Sequence, residues 1–142
     1  MAEISLHIVS EIVPAEMLEL YLQAGWLRPG ENPSDAELLA IVNGSFRFAG
    51  LFDGSRLVGM GRALSDGVSD AYIQDVTVLP AYRDRGLGQA IIKLLVAQLK
   101  EAGIAWIGLV AEPGTHRFYE KLGFQVLPDY QPMLLRKNHE KT

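Results

Sequence analysis

The sequence predicts a mixed α/β (α+β) domain whose partly antiparallel central sheet is flanked by about four helices. Two features of the chain point there. Period-2 and period-3.6 apolar patterns follow one another as strand, two helices, a meander of three strands, helix, strand, helix and two strands. At the centre of that order, a β-branched strand runs through a glycine turn into a long amphipathic helix between Ala71 and Gly103. With 142 residues, 49% of them hydrophobic, the chain carries enough apolar surface for one core and is read as a single domain over 1–142 with a polar tail from about 138.

Each element has its own local cause. Glu3 to Val9 sets Ile4, Leu6 and Ile8 against Glu3, Ser5 and His7, a half-buried strand with His7 facing outward. Pro14 suits a first helical turn, and Met17, Leu18, Tyr21 and Leu22 form an apolar face before Gly25 ends the helix. Ser34 and Glu37 form a capping box for a second helix that stops at Asn43-Gly44. Phe46 to Phe52 and Leu57 to Leu64 make a hairpin about Asp53-Gly54-Ser55, with Gly59 and Gly61 marking a bulge or a close backbone approach. Tyr72 to Val78 is the central strand, closed by Pro80. Leu87 to Lys100 is a helix with one buried face and a stop at Gly103. Ile104 to Ala111 has strand length and apolarity, Phe118 to Leu122 reads as a short helix stopped by Gly123, and Phe124 to Leu127 and Pro132 to Lys137 read as two last strands.

Composition excludes several classes of function. A net charge of −4 is wrong for general nucleic-acid binding, which needs a basic surface. The absence of cysteine excludes disulfides, thiolate metal sites and a cysteine-linked acyl intermediate. His7, His116 and His139 lack metal spacing, so no metal is expected. No apolar run reaches membrane-spanning length and the N-terminus lacks a signal-peptide pattern, so cytoplasmic residence is the default expectation.

The chemistry is concentrated in Arg83-Asp84-Arg85-Gly86-Leu87-Gly88-Gln89. Here two glycines expose backbone N–H groups where a helix leaves its first donors unpaired, and the helix dipole and two guanidinium groups add positive potential. A diphosphate suits such a turn. A dinucleotide fingerprint beginning at Gly86 would need Gly or Ala where Ile91 stands, and no Gly-Lys-Ser/Thr follows to make a nucleotide P-loop. Arg83-x-x-Gly86-x-Gly88 after a strand, followed downstream by Phe118-Tyr119-Glu120-Lys121-Leu122-Gly123-Phe124, resembles the two signatures of the GCN5-related N-acetyltransferase (GNAT) family.

That resemblance implies acetyl-CoA as co-substrate and direct acetyl transfer to a primary amine of a small molecule or peptide. It implies that the backbone of Val76, Thr77 and Val78 binds the pantetheine arm and that the Val76 N–H polarises the thioester carbonyl. It implies that residues 83–89 cradle the diphosphate, with Phe118 beside the cofactor and Tyr119 giving a proton to the leaving sulfur. Many members carry Asn where this chain has Glu112, so that contact to the pantetheine arm is altered. Histone-modifying members place a base glutamate four residues before the position of Val76; Tyr72 stands there, which disfavours a protein-lysine acceptor. Asp75 is the remaining candidate base, although strand alternation leaves open whether its side chain faces the site, solvent or a neighbouring loop. Trp26 and Tyr21 lie on the segment that walls the acceptor pocket in relatives, with core packing as the other reading for Tyr21. Asp66 either draws in a cationic amine or forms its turn. Members of the family often pair as homodimers. A catalytically silent acetyl-CoA-binding regulator, or a domain whose main task is association with a larger partner, is the alternative; the intact glycine turn and Tyr119 argue against both.

Overall fold

The computed structural model describes residues 3–136. They fall into two compact units that divide after Leu109, and each is described by itself. Lys137 and the expected polar tail from 138 lie outside the described residues.

The first unit is built on a five-stranded sheet. Its strands are β1 (Ile4–Ile8), β2 (Arg47–Asp53), β3 (Arg56–Ser65), β4 (Asp70–Val78) and β5 (Trp106–Gly108), hydrogen-bonded in that order. The first four are mutually antiparallel and β5 runs parallel to β4. Helix α1 (Pro14–Ala24) has its proline in the first turn and ends on Gly25 at φ +75. Helix α2 (Asp35–Gly44) opens on both arms of the Ser34–Glu37 capping box and ends at Gly44, where the sequence placed its stop, with an extended Ser45 as its C-cap. Helix α3 (Leu87–Glu101) is the longest and buries Ile91, Ile92, Leu95 and Leu99 completely.

Both glycines singled out in the β3 sequence prove structural, for different reasons. Val58, just before Gly59, is extra in the ladder, because Phe52 pairs with Leu57 and Leu51 with Gly59. A Cβ on Gly61 would stand 2.6 Å from Cγ2 of Ile91 and 3.2 Å from Cδ1 of Leu95, so the missing side chain is what lets α3 settle on this face of the sheet. Helix α1 covers the opposite face, where Tyr21 reaches Asp75 of β4 and Glu16 accepts from the Leu57 N–H.

The second unit holds α4 (His116–Glu120), entered through Gly114 at φ +79 and left through Gly123 at φ +96. The strand expected over 104–111 is realised only as the three residues of β5. The described parts of the two last expected strands, 124–127 and 132–136, form no ladder, and Met133, Leu134 and Leu135 stay exposed. Apolar composition marks a segment as fit for a sheet, but a strand exists only where a neighbouring edge accepts its hydrogen bonds.

Gly61→Ala is expected to lower stability by about 1–3 kcal/mol through overpacking against Ile91, measured by denaturant unfolding. A stability equal to that of the parent would show that α3 does not rest on this glycine.

Candidate active site

Strand β4 is interrupted at its centre. Arg62 pairs with Gln74 and Met60 with Thr77, so Asp75 and Val76 together oppose Gly61, and Asp75 takes φ +56. This is a β-bulge whose first residue is left-handed. The bulge sends two successive side chains to one face: Gln74 and Asp75 both meet Arg62, while Val76 turns to the α3 face, its Cγ2 3.2 Å from where a Gly61 Cβ would lie. The alternation that left the direction of Asp75 open is thus broken at that residue.

Two side chains hold Asp75. Arg62 donates from Nε to Oδ2 at 2.7 Å and the Tyr21 hydroxyl donates to the same oxygen at 3.1 Å. Tyr21 is buried, and burial first, then the Asp75 charge, raises its pKa well above the usual phenol value, so it remains a donor. Its ring also packs against Trp26, centroids 5.7 Å apart. Tyr21 therefore fixes Asp75 within the fold, and the half-buried Trp26 is the outer member of the pair. Arg62 escaped the sequence reading. Its signal was a lone cation in an otherwise small and apolar run, Gly59-Met60-Gly61-Arg62-Ala63-Leu64.

Strand β5 pairs only with Asp70, Ala71 and Tyr72, so from Ile73 to Val78 no described strand covers the β5-side edge of β4. Such an edge offers backbone donors and acceptors to an extended ligand. The strand ends in a 3-10 turn, Pro80–Tyr82, and then the glycine loop. Asp84 at φ +62 and Gly86 at φ +74 curl the loop so that Gly86 caps α3. The first helical bond there runs from the Ala90 N–H to the Gly86 carbonyl, which leaves the N–H groups of Leu87, Gly88 and Gln89 at the open helix end. A Cβ on Gly86 would meet nothing within 4 Å, so the space beside this residue is clear. Arg83 donates from Nε to the Val78 carbonyl at 3.0 Å, and Arg85 lies 5.5 Å from the Tyr82 ring centroid and reaches the Ala81 carbonyl. Tyr82 in turn donates to Asp53, which ties the loop to the β2–β3 hairpin. Arg83 and Arg85 are thus turned onto the carbonyls of Val78 and Ala81, on the loop that leads to the open end of α3.

Within the second unit, Tyr119 is half-buried between two rings, Phe118 at 5.1 Å and Phe124 at 6.1 Å, both edge-on. Burial, and then the negative Glu112, raise the pKa of its phenol, which keeps it protonated at neutral pH. The Glu112 carbonyl accepts from the N–H and hydroxyl of Thr115 and so closes the turn into α4. Asp66 is a turn former. Its carboxylate accepts from the Ser69 hydroxyl and from the N–H groups of Ser69 and Val68, which hold its pKa down at about 2.

A strand running through a glycine turn into a glycine-capped helix end is the arrangement that the first of the two sequence signatures called for, and the bulge at Asp75 is added by the structure. A model of the acetyltransferase (GNAT) family matches residues 13–124. The chain belongs to this family. It is 37% identical over 117 residues to an uncharacterized N-acetyltransferase, ycf52, of Pyropia yezoensis, a match covering 80% of this chain and 66% of that protein. It is 45% identical over 74 residues to a chloroplastic serotonin N-acetyltransferase of Oryza sativa subsp. japonica, covering 52% of this chain and 37% of the relative. The chain thus spans less than two thirds of the length of these relatives. Among solved structures, a GNAT family acetyltransferase of Streptococcus pneumoniae superposes with a TM-score of 0.79 at 26% identity over 96% of this chain and all of that one.

Gly86→Val tests the loop. The valine opposes a left-handed backbone and fills the clear space, so CoA affinity measured by calorimetry is expected to fall at least about tenfold, with a stability loss of only about 1–2 kcal/mol. Unchanged CoA affinity would remove the loop from the site.

Proposed function

We propose that this GNAT protein transfers an acetyl group from acetyl-CoA to a primary amine of a small molecule or peptide, directly and without an acyl-enzyme. The observation that carries this reading is the β4 bulge, which separates the open strand edge from the Asp75 face and lies one short turn from the glycine-capped helix end. An acyl donor held along the edge by backbone groups of Val76, Thr77 and Val78, with its diphosphate on residues 83–89, brings its thioester to the bulge.

The chain's groups then divide the chemistry. The amine nitrogen attacks the thioester carbon, the C–N bond forms and the C–S bond breaks. The Val76 N–H stabilises the negative charge that develops on the carbonyl oxygen. Tyr119, kept protonated by burial, supplies the proton that converts the departing thiolate to a thiol. The nitrogen loses its proton to water or to Asp75. Because Oδ2 of Asp75 already accepts from Arg62 and Tyr21, proton acceptance falls to Oδ1, and the Arg62 pair acts first to hold the bulge in register.

Two substitutions separate these roles. Tyr119→Phe keeps the ring and removes the proton; kcat is expected to fall about 10- to 10⁴-fold, least for the best acceptors, because thiolates leave readily. Since burial raises the Tyr119 pKa, the parent enzyme should show no loss of kcat from phenol ionisation at pH 8–9, and a Tyr119-dependent fall there would contradict the assignment. Arg62→Met releases Asp75 and is expected to lower kcat about 10- to 100-fold, comparable to a misplaced catalytic group. CoA affinity should change little. If kcat survived while CoA binding collapsed, the pair would serve the cofactor instead of the bulge.

A further inference from the structure

The loop between β4 and α3 is held at its start by backbone. The Leu79 N–H donates to the Val58 carbonyl, and the Tyr82 and Arg83 N–H groups close the turn onto the Leu79 and Pro80 carbonyls. Past that point residues 83–86 are exposed, Asp84 and Gly86 are left-handed, and the side-chain bonds of Arg83 and Arg85 return to the nearby Val78 and Ala81 carbonyls. Among the described residues, one hydrogen bond beyond Leu79 carries the loop to a distant element: the Tyr82 hydroxyl donates to Oδ2 of Asp53, 29 positions earlier.

Asp53 is itself firmly placed. It closes β2, pairs with Ile4 of β1 and Arg56 of β3, and its other oxygen, Oδ1, accepts from the Glu3 N–H at 3.1 Å. The following N–H, that of Gly54, donates to the Glu3 carbonyl at 2.9 Å. A carboxylate fixed at the end of three strands thus grips one loop residue, and the ring of that residue lies 5.5 Å from the Arg85 guanidinium carbon.

The charge of Asp53 opposes an anionic ligand. The Tyr82 bond, more than its other contacts, holds the Asp53 carboxyl below the usual carboxylate range, so the group is ionised. By Coulomb's law a carboxylate beside the loop weakens the binding of a diphosphate, and it can favour that ligand only through what it holds in place. An exposed loop with two left-handed residues samples other conformers once untied, and apparent affinity falls with the fraction that keeps the binding form.

We infer that Asp53 and Tyr82 are positioning residues for the diphosphate loop: their bond keeps the loop in the conformer that receives a diphosphate-bearing acyl donor, and donors without a diphosphate do not depend on it. This rests on the acetyltransferase reading above and adds to it a determinant on the β2–β3 hairpin, outside both sequence signatures.

The test measures CoA binding by calorimetry for the parent, Tyr82→Phe, Asp53→Ala and the double variant. Tyr82→Phe keeps the ring and removes only the donor. Each single variant should weaken CoA about three- to tenfold, the loss expected if the tied conformer falls to about a third to a tenth of the loop population, and the double variant should be no weaker than the weaker single. With an amine that the parent acetylates held saturating, the loss should appear in KM for acetyl-CoA and leave kcat unchanged. The kcat/KM for S-acetylpantetheine, which keeps the arm and lacks the diphosphate, should stay at the parent's value. Unchanged CoA affinity in Tyr82→Phe would overturn the inference, and so would tighter binding in Asp53→Ala, which would show that Asp53 acts through its charge. Equal losses with the two donors would also overturn it, because a bond that serves only the stability of the fold does not distinguish them. The calorimetry stands apart from turnover. Paired CoA losses in a protein that acetylates no amine would support the positioning role and count against the transferase reading, whereas an active enzyme with unchanged CoA affinity in Tyr82→Phe would do the reverse.

Discussion

Asp75 holds a left-handed backbone in the middle of the central strand, a conformation that costs a non-glycine residue about 1–2 kcal/mol. Hydrogen bonds to a charged group contribute about 1.5–3 kcal/mol, so the bond from Arg62, joined by that from Tyr21, offsets the strain. Much else follows from this one constraint. Because the bulge inserts a residue opposite Gly61, the strand presents Gln74 and Asp75 on the α1 face and Val76 on the α3 face. The same glycine that faces the bulge also admits Ile91 and Leu95 of α3. One position in β3 thus sets the strand's irregularity and the seat of the helix whose N-terminus leaves backbone N–H groups open.

The two ends of β4 are organised differently, and the difference is chemical. Toward its C-terminal end the strand offers backbone: an uncovered edge, then a turn braced by Arg83 on the Val78 carbonyl and by Tyr82 on Asp53. Backbone recognition suits a ligand that is always the same, because main-chain donors require no particular side chains. Toward its N-terminal end the strand offers side chains, with Tyr72, Gln74 and the neighbouring Trp106 on one face. Side chains can diversify without disturbing the ladder.

The strand, turn and helix boundaries were legible because each has a local cause. Pro14, the Ser34–Glu37 box, Gly25, Pro80, Gly86 and Gly103 act within a few residues of where they stand, and the structure places a start or stop at or beside each of them. The glycine loop was legible for the same reason, since glycines followed by a helix expose donors whatever the rest of the chain does. What needed the folded sheet was every relation between distant residues. Arg62, Asp75 and Tyr21 are spread over 54 positions, and only the register of β3 against β4 and the seat of α1 join them. The direction of Asp75 depended on a bulge created by pairing, and the Tyr72–Trp106 contact on a parallel ladder of three residues. The apolar segments after 124 show the converse, for their composition suits strands and no described edge receives them. Local sterics and capping are properties of a short stretch of sequence, whereas register and partnership belong to pairs of stretches, and those the tertiary structure alone decided.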